Sequence, residues 1–364
     1  MTISQRMLTI ALCLAGSTCL LAQDEVPLLP PPLPRAAKPS ISSPDDPGLP
    51  ALIATCTTPP PRRPAPAIAG RGAPPPPARS YTVTEIPGVI AAGQRWTFRW
   101  QEAGNNGDGI VATDDGGLLI AQNDNSKVVK LDKNGQTSDL YEDTHTGGSL
   151  SINSQGAMFL VERGLRVGIA QLAPRRAMLA DSYQGDALDC VGGNPNDLTA
   201  DSKGGVYFTQ GGVYYASPEG VVTRHGANIA PNGIILSADE KILYVTNGPT
   251  LAAFDVQPDG SLANQREFAK LEGGGNGDGS TIDANGRIYV TTNPGVQVIG
   301  PDGKYLGIIP TPRPVISAAF GGADKKTLYV LARGARDANG NEVANAAQVY
   351  TIPMVAQGYK GRPK

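Results

Sequence analysis

The sequence predicts an all-β fold, a six-bladed β-propeller with about four antiparallel strands in each blade, preceded by a signal peptide and a proline-rich disordered segment. Three observations lead to this prediction. The 364 residues include 45 Gly and 32 Pro, too many for a helical protein, while the 40% hydrophobic residues are enough for a sizeable core. The apolar runs are short. They recur along the chain at a spacing typical of propeller blades.

Residues 1–22 have the pattern of a secretory signal peptide. A single basic residue, Arg6, precedes an apolar run from Met7 to about Leu21, and Ala22 ends the run before polar sequence. This run is shorter than the roughly 20 residues that a membrane-spanning helix needs. We therefore expect cleavage after Ala22, a mature chain without a transmembrane segment, and export to the periplasm or the extracellular space.

Residues 23–79 are dominated by proline and alanine, as in PLLPPPLPR and GAPPPPAR. Proline lacks a backbone N–H and favours extended polyproline conformations, so we expect a disordered tether here and a folded domain at residues 80–364. Once the leader is removed, Cys56 and Cys190 are the remaining cysteines. In an exported protein they can form a disulfide, but Cys56 lies in low-complexity sequence, and two separate thiols explain the pattern equally well.

One format recurs six times beyond residue 80: a turn rich in Asp, Asn, Gly and Lys, followed by an apolar or aromatic triplet. The centres of these triplets are Leu119, Phe159, Tyr207, Tyr244, Tyr289 and Tyr329. Successive centres are 37 to 48 residues apart, the length of a four-stranded blade. We expect the ring to close by pairing residues 81–86 (YTVTEI) with the last blade at residues 347–354 (AQVYTIPM).

The repeat also places one residue of every blade at the same position, 11 or 12 residues before the triplet centre. These ring positions are Asp108, Gly148, Asn196, Asn232, Asp278 and Ser317. The innermost strand of each blade lines the central channel, so the starts of these strands surround one end of it. Two carboxylates and two amides there are oxygen donors of the kind that a hard divalent cation binds. Asp-Gly and Asn-Gly are also common turn dipeptides, but a turn alone does not explain a position shared by four blades.

The same residues lie in motifs that resemble those of the gluconolactonase and regucalcin family. The similarity is carried by GGNPNDLTADSKGGVYFT from residue 192, IAPNGIILSADEKILYVTN from residue 229 and GDGSTIDANGRIYV from residue 277. The resemblance implies a six-bladed propeller with one divalent metal ion in its channel, and hydrolysis of sugar lactones to aldonic acids. Ca²⁺ is the favoured ion, and Zn²⁺, Mn²⁺ and Mg²⁺ are alternatives. The resemblance also implies that Asn232 and Asp278 are metal ligands, and that Asn196 contacts the metal or the substrate.

The chain departs from the family pattern at two places. Family members supply one more carboxylate, a Glu in an E-G-P-x-W motif of the first blade, where this chain has Asp108 followed by Gly-Ile-Val-Ala. Aspartate keeps the charge but shortens the side chain by one methylene. In the second blade, residues 147–149 (GGS) offer little to a substrate. We expect Asp108 to complete a set of metal ligands with Asn196, Asn232 and Asp278.

The expected chemistry is metal-assisted lactone opening, in which a carboxylate orients or deprotonates the attacking water. Asp278 is the first candidate for this catalytic carboxylate, and Asp197 is the second. Asn196 and Arg163 are the candidates for substrate binding, although an arginine at the end of a strand can also be an ordinary surface residue.

The composition argues against several other classes of protein. With 31 Lys and Arg against 33 Asp and Glu, the formal charge of -2 produces no long-range field that attracts nucleic acid. His145 and His225 lie in no serine-hydrolase motif, and Cys190 has no histidine nearby in the sequence. The partner that the resemblance implies is a small lactone. Two alternatives remain, a metal-bound propeller that serves as a cell-envelope binding or scaffold module, and a propeller hydrolase for other esters. The sequence leaves the oligomeric state open.

Overall fold

The computed structural model describes residues 41–58, 60, 77–103, 107–337 and 339–361. The predicted signal peptide lies outside these residues, and so does much of the predicted tether. In the part of the chain that is described, no helix has the length and apolar character needed to cross a bilayer.

Six four-stranded antiparallel sheets follow one another along the chain. β1 (Thr97–Ala103) precedes blade 1, which contains β2 (Gly107–Ala112), β3 (Leu118–Gln122), β4 (Lys127–Leu131) and β5 (Thr137–Tyr141). Blade 2 contains β6 (Leu150–Ile152), β7 (Met158–Glu162), β8 (Gly168–Ala173) and β9 (Ala177–Ala180), and the hairpin of β10 (Ser182–Tyr183) and β11 (Asp186–Ala187) follows. Blade 3 contains β12 (Leu198–Ala200), β13 (Val206–Thr209), β14 (Val213–Ala216) and β15 (Val222–His225). Blade 4 contains β16 (Pro231–Leu236), β17 (Ile242–Asn247), β18 (Thr250–Val256) and β19 (Leu262–Lys270). Blade 5 contains β20 (Ser280–Ile282), β21 (Ile288–Thr291), β22 (Gly295–Ile299) and β23 (Tyr305–Pro310). Blade 6 contains β24 (Val315–Gly321), β25 (Thr327–Arg336) and β26 (Glu342–Pro353) together with β1. The six sheets confirm the predicted propeller.

The first strands of the blades form a closed ring. β2 contacts β6, and the contacts continue from β6 to β12, β16, β20 and β24, which returns to β2. These six strands are the innermost strands of the blades. Each predicted ring position lies within two residues of the first residue of its inner strand, so the six positions are at the same end of this ring of strands.

Blade 6 combines β1, which precedes blade 1 in the sequence, with β24, β25 and β26. The prediction that residues 81–86 close the ring is wrong. The outermost strand of the blade is β1, which pairs with β26 so that Phe98 lies opposite Tyr350. Residues 81–86 do not reach the sheet, because the chain turns directly after them and Ile86 forms a bridge with Ile90. The buried residues of this turn pack into the cluster between blades 5 and 6.

The repeated turn format has a local cause in the side chain that opens each turn. Oδ1 of Asp201 accepts hydrogen bonds from the N–H groups of Lys203 at 2.9 Å and Gly205 at 2.8 Å. Asn153 and Asp283 make equivalent bonds in blades 2 and 5. These turns deliver the chain into the second strand of the blade, where all six predicted triplet centres are buried.

The hydrophobic core lies mainly between neighbouring blades. Phe159 of blade 2 belongs to one buried cluster with Leu198 and Phe208 of blade 3. Similar clusters fill the other interfaces around the ring. Each blade therefore completes its core only against its two neighbours.

Residues 41–58, which we name the N-terminal strap, are ordered although they lie within the predicted tether. They form a 3₁₀ turn (Ser43–Asp45) and one short helix, α1 (Leu49–Ile53). A disulfide joins Cys56 to Cys190, with a Cα–Cα distance of 5.7 Å, which resolves the alternative that the sequence left open. The carboxylate oxygens of Asp186 each accept the N–H of Thr57 at 2.9 Å. This stretch differs from the prediction because the residues between its prolines form hydrogen bonds and a disulfide with the propeller and pack against it.

Candidate active site

Four polar side chains from four blades come together where the inner strands of the blades begin. Nδ2 of Asn196 donates to Oδ1 of Asn232 at 2.6 Å, which joins blades 3 and 4. Asp108 and Asp278 are close enough that the charge of Asp108 raises the pKa of Asp278. The structure therefore brings together all four residues that the sequence predicts as metal ligands.

These side chains are positioned by hydrogen bonds between the start of the first strand and the end of the second. The N–H of Asn196 donates to the carbonyl of Thr209 at 2.7 Å, and the N–H of Asp278 donates to the carbonyl of Thr291 at 2.8 Å. The hydroxyl of Thr291 donates to the carbonyl of Gly279 at 2.7 Å. The threonines lie two residues after the triplet tyrosines, a recurring signal that the sequence interpretation did not use.

The glycines that follow several ring positions allow the backbones of neighbouring blades to pack closely against each other. A Cβ atom on Gly233 would lie 2.1 Å from the carbonyl oxygen of Asp278, and one on Gly109 would lie 2.6 Å from the backbone of Ser149. Any larger residue would therefore separate the blades at the site. This packing accounts for the Asn-Gly and Asp-Gly pairs beyond their use as turns.

Arg163, just after β7, places the positive charge of its guanidinium beside the ring positions. Its Nη1 lies 2.5 Å from Oδ2 of Asp108, and its Nη2 donates to the carbonyl of Asn196 at 2.7 Å and to Oδ1 of Asn196 at 3.2 Å. Its Nε donates to the carbonyl of Pro195 at 2.8 Å. Only 12% of the side chain is exposed. The guanidinium thus connects blades 1, 2 and 3.

Gly148, the ring position of blade 2, provides the space for this guanidinium. A Cβ atom there would lie 2.2 Å from Cζ of Arg163. The sequence interpretation took residues 147–149 to offer little to a substrate. The structure adds that the missing side chain lets an arginine from the following strand occupy that part of the ring.

Asp197, the second candidate for the catalytic carboxylate, links three blades. Its Oδ2 accepts the N–H of Ile234 in blade 4 at 2.9 Å. Its Oδ1 accepts the N–H of Leu198 at 2.8 Å and the hydroxyl of Ser149, which precedes β6 in blade 2. The residue is 6% exposed. A buried carboxylate with these donors holds the blades in position, and this arrangement favours Asp278 as the catalytic residue.

Asp278 has the most strongly altered electrostatics at the site. Burial, and then the charge of Asp108, raise its pKa to about 7, while Arg333 opposes this increase. Nη2 of Arg333 lies 3.9 Å from Oδ2 of Asp278, but the Arg333 side chain is 60% exposed and well solvated. Arg333 was missed in the sequence, where nothing distinguishes it from other strand residues. A carboxylate in this environment favours either a proton or a bound cation.

A polar cavity of about 460 Å³ opens beside the ring. Its lining includes Asn123, Arg163, Asn194 and Asn196, together with Ser42 from the N-terminal strap. Oδ1 of Asn194 is buried and has no hydrogen-bond partner among the described residues. The volume suits a small ligand, and the amide and guanidinium groups suit one that carries several hydroxyl groups.

The oxygen atoms of the predicted ligands suit a hard cation next to Asp278. Next to Asp108, the guanidinium of Arg163 already supplies a positive charge. All four predicted ligands offer oxygen atoms, and the amide oxygen of Asn232 has a second lone pair besides the one that accepts from Asn196. Across the described ranges, no three His, Cys, Asp or Glu side chains are grouped as metal ligands. A metal ion at the ring would therefore depend on two carboxylates and two amides.

The remaining residues considered in the sequence lie in other environments. Nδ1 of His145 is 2.9 Å from Oε2 of Glu162, and the histidine side chain is 65% exposed. Nε2 of His225 is 2.9 Å from the hydroxyl of Thr223. Cys190 is held in the disulfide.

These features define a six-bladed propeller with a charged, polar site where its inner strands begin. Residues 145–333 match the family model described as SMP-30/Gluconolactonase/LRE-like region. The chain belongs to this family.

Two relatives and one solved structure illustrate the similarity. The gluconolactonase of Zymomonas mobilis is 27% identical over 216 residues, which cover 50% of this chain and 60% of that protein. The pentonolactonase of Haloferax volcanii is 31% identical over 154 residues, covering 38% of this chain and 53% of that protein. The chain thus spans less than two thirds of the length of either relative. The structure of a gluconolactonase from Xanthomonas campestris has a TM-score of 0.63 at 22% identity and covers 78% of this chain and 98% of that chain, a likeness of fold.

Proposed function

We propose that the protein is a metal-dependent hydrolase that opens sugar lactones to aldonic acids. The observation that carries this proposal is the ring of Asp108, Asn196, Asn232 and Asp278 in a chain of the gluconolactonase family. Asn196 belongs both to the ring and to the polar cavity, so a ligand in the cavity lies beside the ring oxygens. The relatives named gluconolactonase and pentonolactonase support six-carbon and five-carbon sugar lactones as the first substrates to test.

The metal ion is assigned to the oxygens of Asp278, Asn232 and Asn196, with Asp108 as the fourth ligand. Ca²⁺ is the first choice because every donor is a hard oxygen, and Zn²⁺, Mn²⁺ and Mg²⁺ are the alternatives. When bound, a divalent cation supplies Lewis acidity towards the lactone carbonyl.

Asp278 accepts the proton of the attacking water. In the metal-free protein, burial and the charge of Asp108 raise the pKa of Asp278, and a bound cation would keep the carboxylate ionised and able to accept a proton. The water oxygen adds to the carbonyl carbon, and the bond between that carbon and the ring oxygen then breaks. The proton held by Asp278 passes to the ring oxygen, which becomes the hydroxyl group of the aldonic acid. Asn196 and Arg163 orient the substrate from the cavity wall.

Measuring acid release from glucono-δ-lactone and from pentonolactones tests the proposal. We expect hydrolysis above the spontaneous rate with Ca²⁺, Mn²⁺ or Zn²⁺, and loss of this hydrolysis with EDTA. Asp278→Asn should lower kcat by about 10²-fold or more, the usual scale for a general base. Asp302→Asn, at an exposed position, is the control and should keep the wild-type rate. No metal-dependent hydrolysis of any of these lactones would overturn the proposal.

A second candidate is a metal-bound propeller that binds a cell-envelope component without catalysis. The observation that favours it is the ion pair of Asp108 with Arg163, at the position where the resemblance implies a longer glutamate. Thermal unfolding with and without metal separates the two candidates. Stabilisation by the metal, together with no lactone turnover at saturating metal, would favour the binding module.

Export to the periplasm or the extracellular space is part of the proposal. The Cys56–Cys190 disulfide supports it, because such bonds persist in oxidising compartments. Fractionation of cells that produce the full chain tests this part. Recovery of the protein in the cytoplasm with reduced cysteines would contradict it.

A further inference from the structure

A guanidinium occupies the part of the ring where two of the proposed metal ligands lie. Nη1 of Arg163 is 2.5 Å from Oδ2 of Asp108, and the two side chains are 12% and 20% exposed. Nη2 of the same group is 3.2 Å from Oδ1 of Asn196. A positive charge is therefore already in contact with oxygens from both residues.

This arrangement has an electrostatic consequence for a divalent ion. A guanidinium keeps its charge at any physiological pH and forms strong, directional bonds to carboxylates. An ion bound to the oxygens of Asp108 and Asn196 would meet this charge at close range, where little water screens the repulsion. Either the guanidinium leaves Asp108, or the ion binds without full coordination by that carboxylate.

Hydrogen bonds with the backbone hold Arg163 and its guanidinium in position. The N–H of Arg163 donates to the carbonyl of His145 at 2.9 Å, and the carbonyl of Arg163 accepts the N–H of Ser43 from the N-terminal strap at 2.7 Å. Its Nε is held by the carbonyl of Pro195 at 2.8 Å. The space beside it exists because residue 148 is glycine, since a Cβ there would lie 2.2 Å from Cζ.

We propose that Arg163 is an internal counter-cation for Asp108 that competes with the divalent metal ion and so sets the metal affinity of the site. Arg163 acts here as a positioning residue, because its effect on the ion passes through Asp108. In the resting protein the ion is anchored mainly by Asp278 and Asn232, and Asp108 joins only when the guanidinium withdraws. The inference rests on the metal site of the proposed function, but not on lactone hydrolysis.

Titration calorimetry with Ca²⁺ and with Mn²⁺ tests this inference on the purified protein. Arg163→Met removes the charge and should bind metal at least tenfold more tightly than the wild type. Gly148→Ala keeps Arg163 in the chain but removes the space for its guanidinium, so it should also bind more tightly. Arg163→Lys keeps a positive charge without the planar fork and should lie between the wild type and Arg163→Met.

A matched control and a double variant show whether the effect passes through Asp108. Arg166 is exposed and three residues away, so Arg166→Met should leave the affinity unchanged. Adding Asp108→Asn to Arg163→Met should abolish the gain in affinity.

Several outcomes would overturn the inference. They are equal or weaker binding by both Arg163→Met and Gly148→Ala when thermal melts show both folded, or no metal binding by the wild type and every variant. Failure of lactone hydrolysis alone leaves these affinities measurable, so the two proposals fail separately.

Discussion

The same four residues, Asn-Gly-Asp-Gly, occur at positions 106–109 and 276–279, yet their aspartates have different surroundings. Asp108 is in close contact with the buried guanidinium of Arg163. Asp278 lies 3.9 Å from the solvated Arg333, and burial, followed by the charge of Asp108, raises its pKa to about 7. The difference comes from the neighbouring blade, because blade 2 supplies an arginine over Gly148. At the residue scale, identical local sequence therefore produces one carboxylate whose charge is neutralised by an arginine and one whose charge is only weakly compensated.

We predict that Asp278 makes the metal-free protein less stable as the pH rises. The folded protein keeps the proton on Asp278 up to about pH 7, whereas the unfolded chain releases it near the ordinary pKa of 3.8. Between these values the folded state binds more protons, so the free energy of unfolding falls with rising pH. Asp278→Asn cannot ionise and should show a smaller fall.

Thermal melts of the wild type and of Asp278→Asn, from pH 4 to pH 8 in EDTA, measure this effect. Groups far from Asp278 titrate alike in both proteins, so the difference between the two curves reports Asp278 together with its coupling to Asp108. Parallel curves would contradict the prediction.

At the scale of the elements, the N-terminal strap is attached to the propeller at both of its ends. The N–H of Ser43 bonds to the carbonyl of Arg163, and the disulfide joins Cys56 to Cys190, 134 residues away in sequence. Between these points α1 buries only Leu52 among its residues. Because so little apolar surface is buried, the covalent bond contributes a large share of the strap's attachment.

We predict that reducing this disulfide loosens the strap while the blades keep their structure. A disulfide typically contributes about 2–4 kcal/mol, more than a few exposed hydrogen bonds supply. Hydrogen exchange of residues 41–58 should become much faster in the Cys56→Ser variant, while the second strands of the blades stay protected. Unchanged exchange in the strap would mean that its other contacts are sufficient. The Cys190→Ser variant provides an independent check of the same bond.

At the scale of the whole molecule, stability depends on closing the ring. The large core clusters each lie between two blades, and blade 6 takes its outermost strand, β1, from the N-terminal side. The pairing of β1 with β26 covers one edge of β26 and brings Phe98 edge-on to the ring of Tyr350, with ring centroids 6.0 Å apart. The ends of the chain therefore hold the first and last blades together.

We predict that the fragment 41–364 folds with a melting temperature close to that of the chain from residue 23 onward, whereas the fragment 104–364 does not. The shorter fragment lacks β1 and the buried turn at residues 83–90, so it exposes both a strand edge and part of a core cluster. Circular dichroism and gel filtration of the two fragments measure folding and aggregation. A cooperative, monomeric 104–364 fragment would show that β1 is dispensable.

Signals that repeat within each blade were enough to predict the number of blades, the buried triplets and the residues at the ring positions. An Asp or Asn that opens a turn, a buried strand and a fixed spacing are local properties, so counting them placed Asn196, Asn232 and Asp278 at equivalent positions in three blades. Four features could not be predicted in this way: that β1 closes blade 6, that Cys56 pairs with Cys190, that Asp197 links three blades, and that Arg163 reaches Asp108 beside Gly148. These features are contacts between residues far apart in the chain, and each depends on how closely neighbouring blades pack, which no local pattern records.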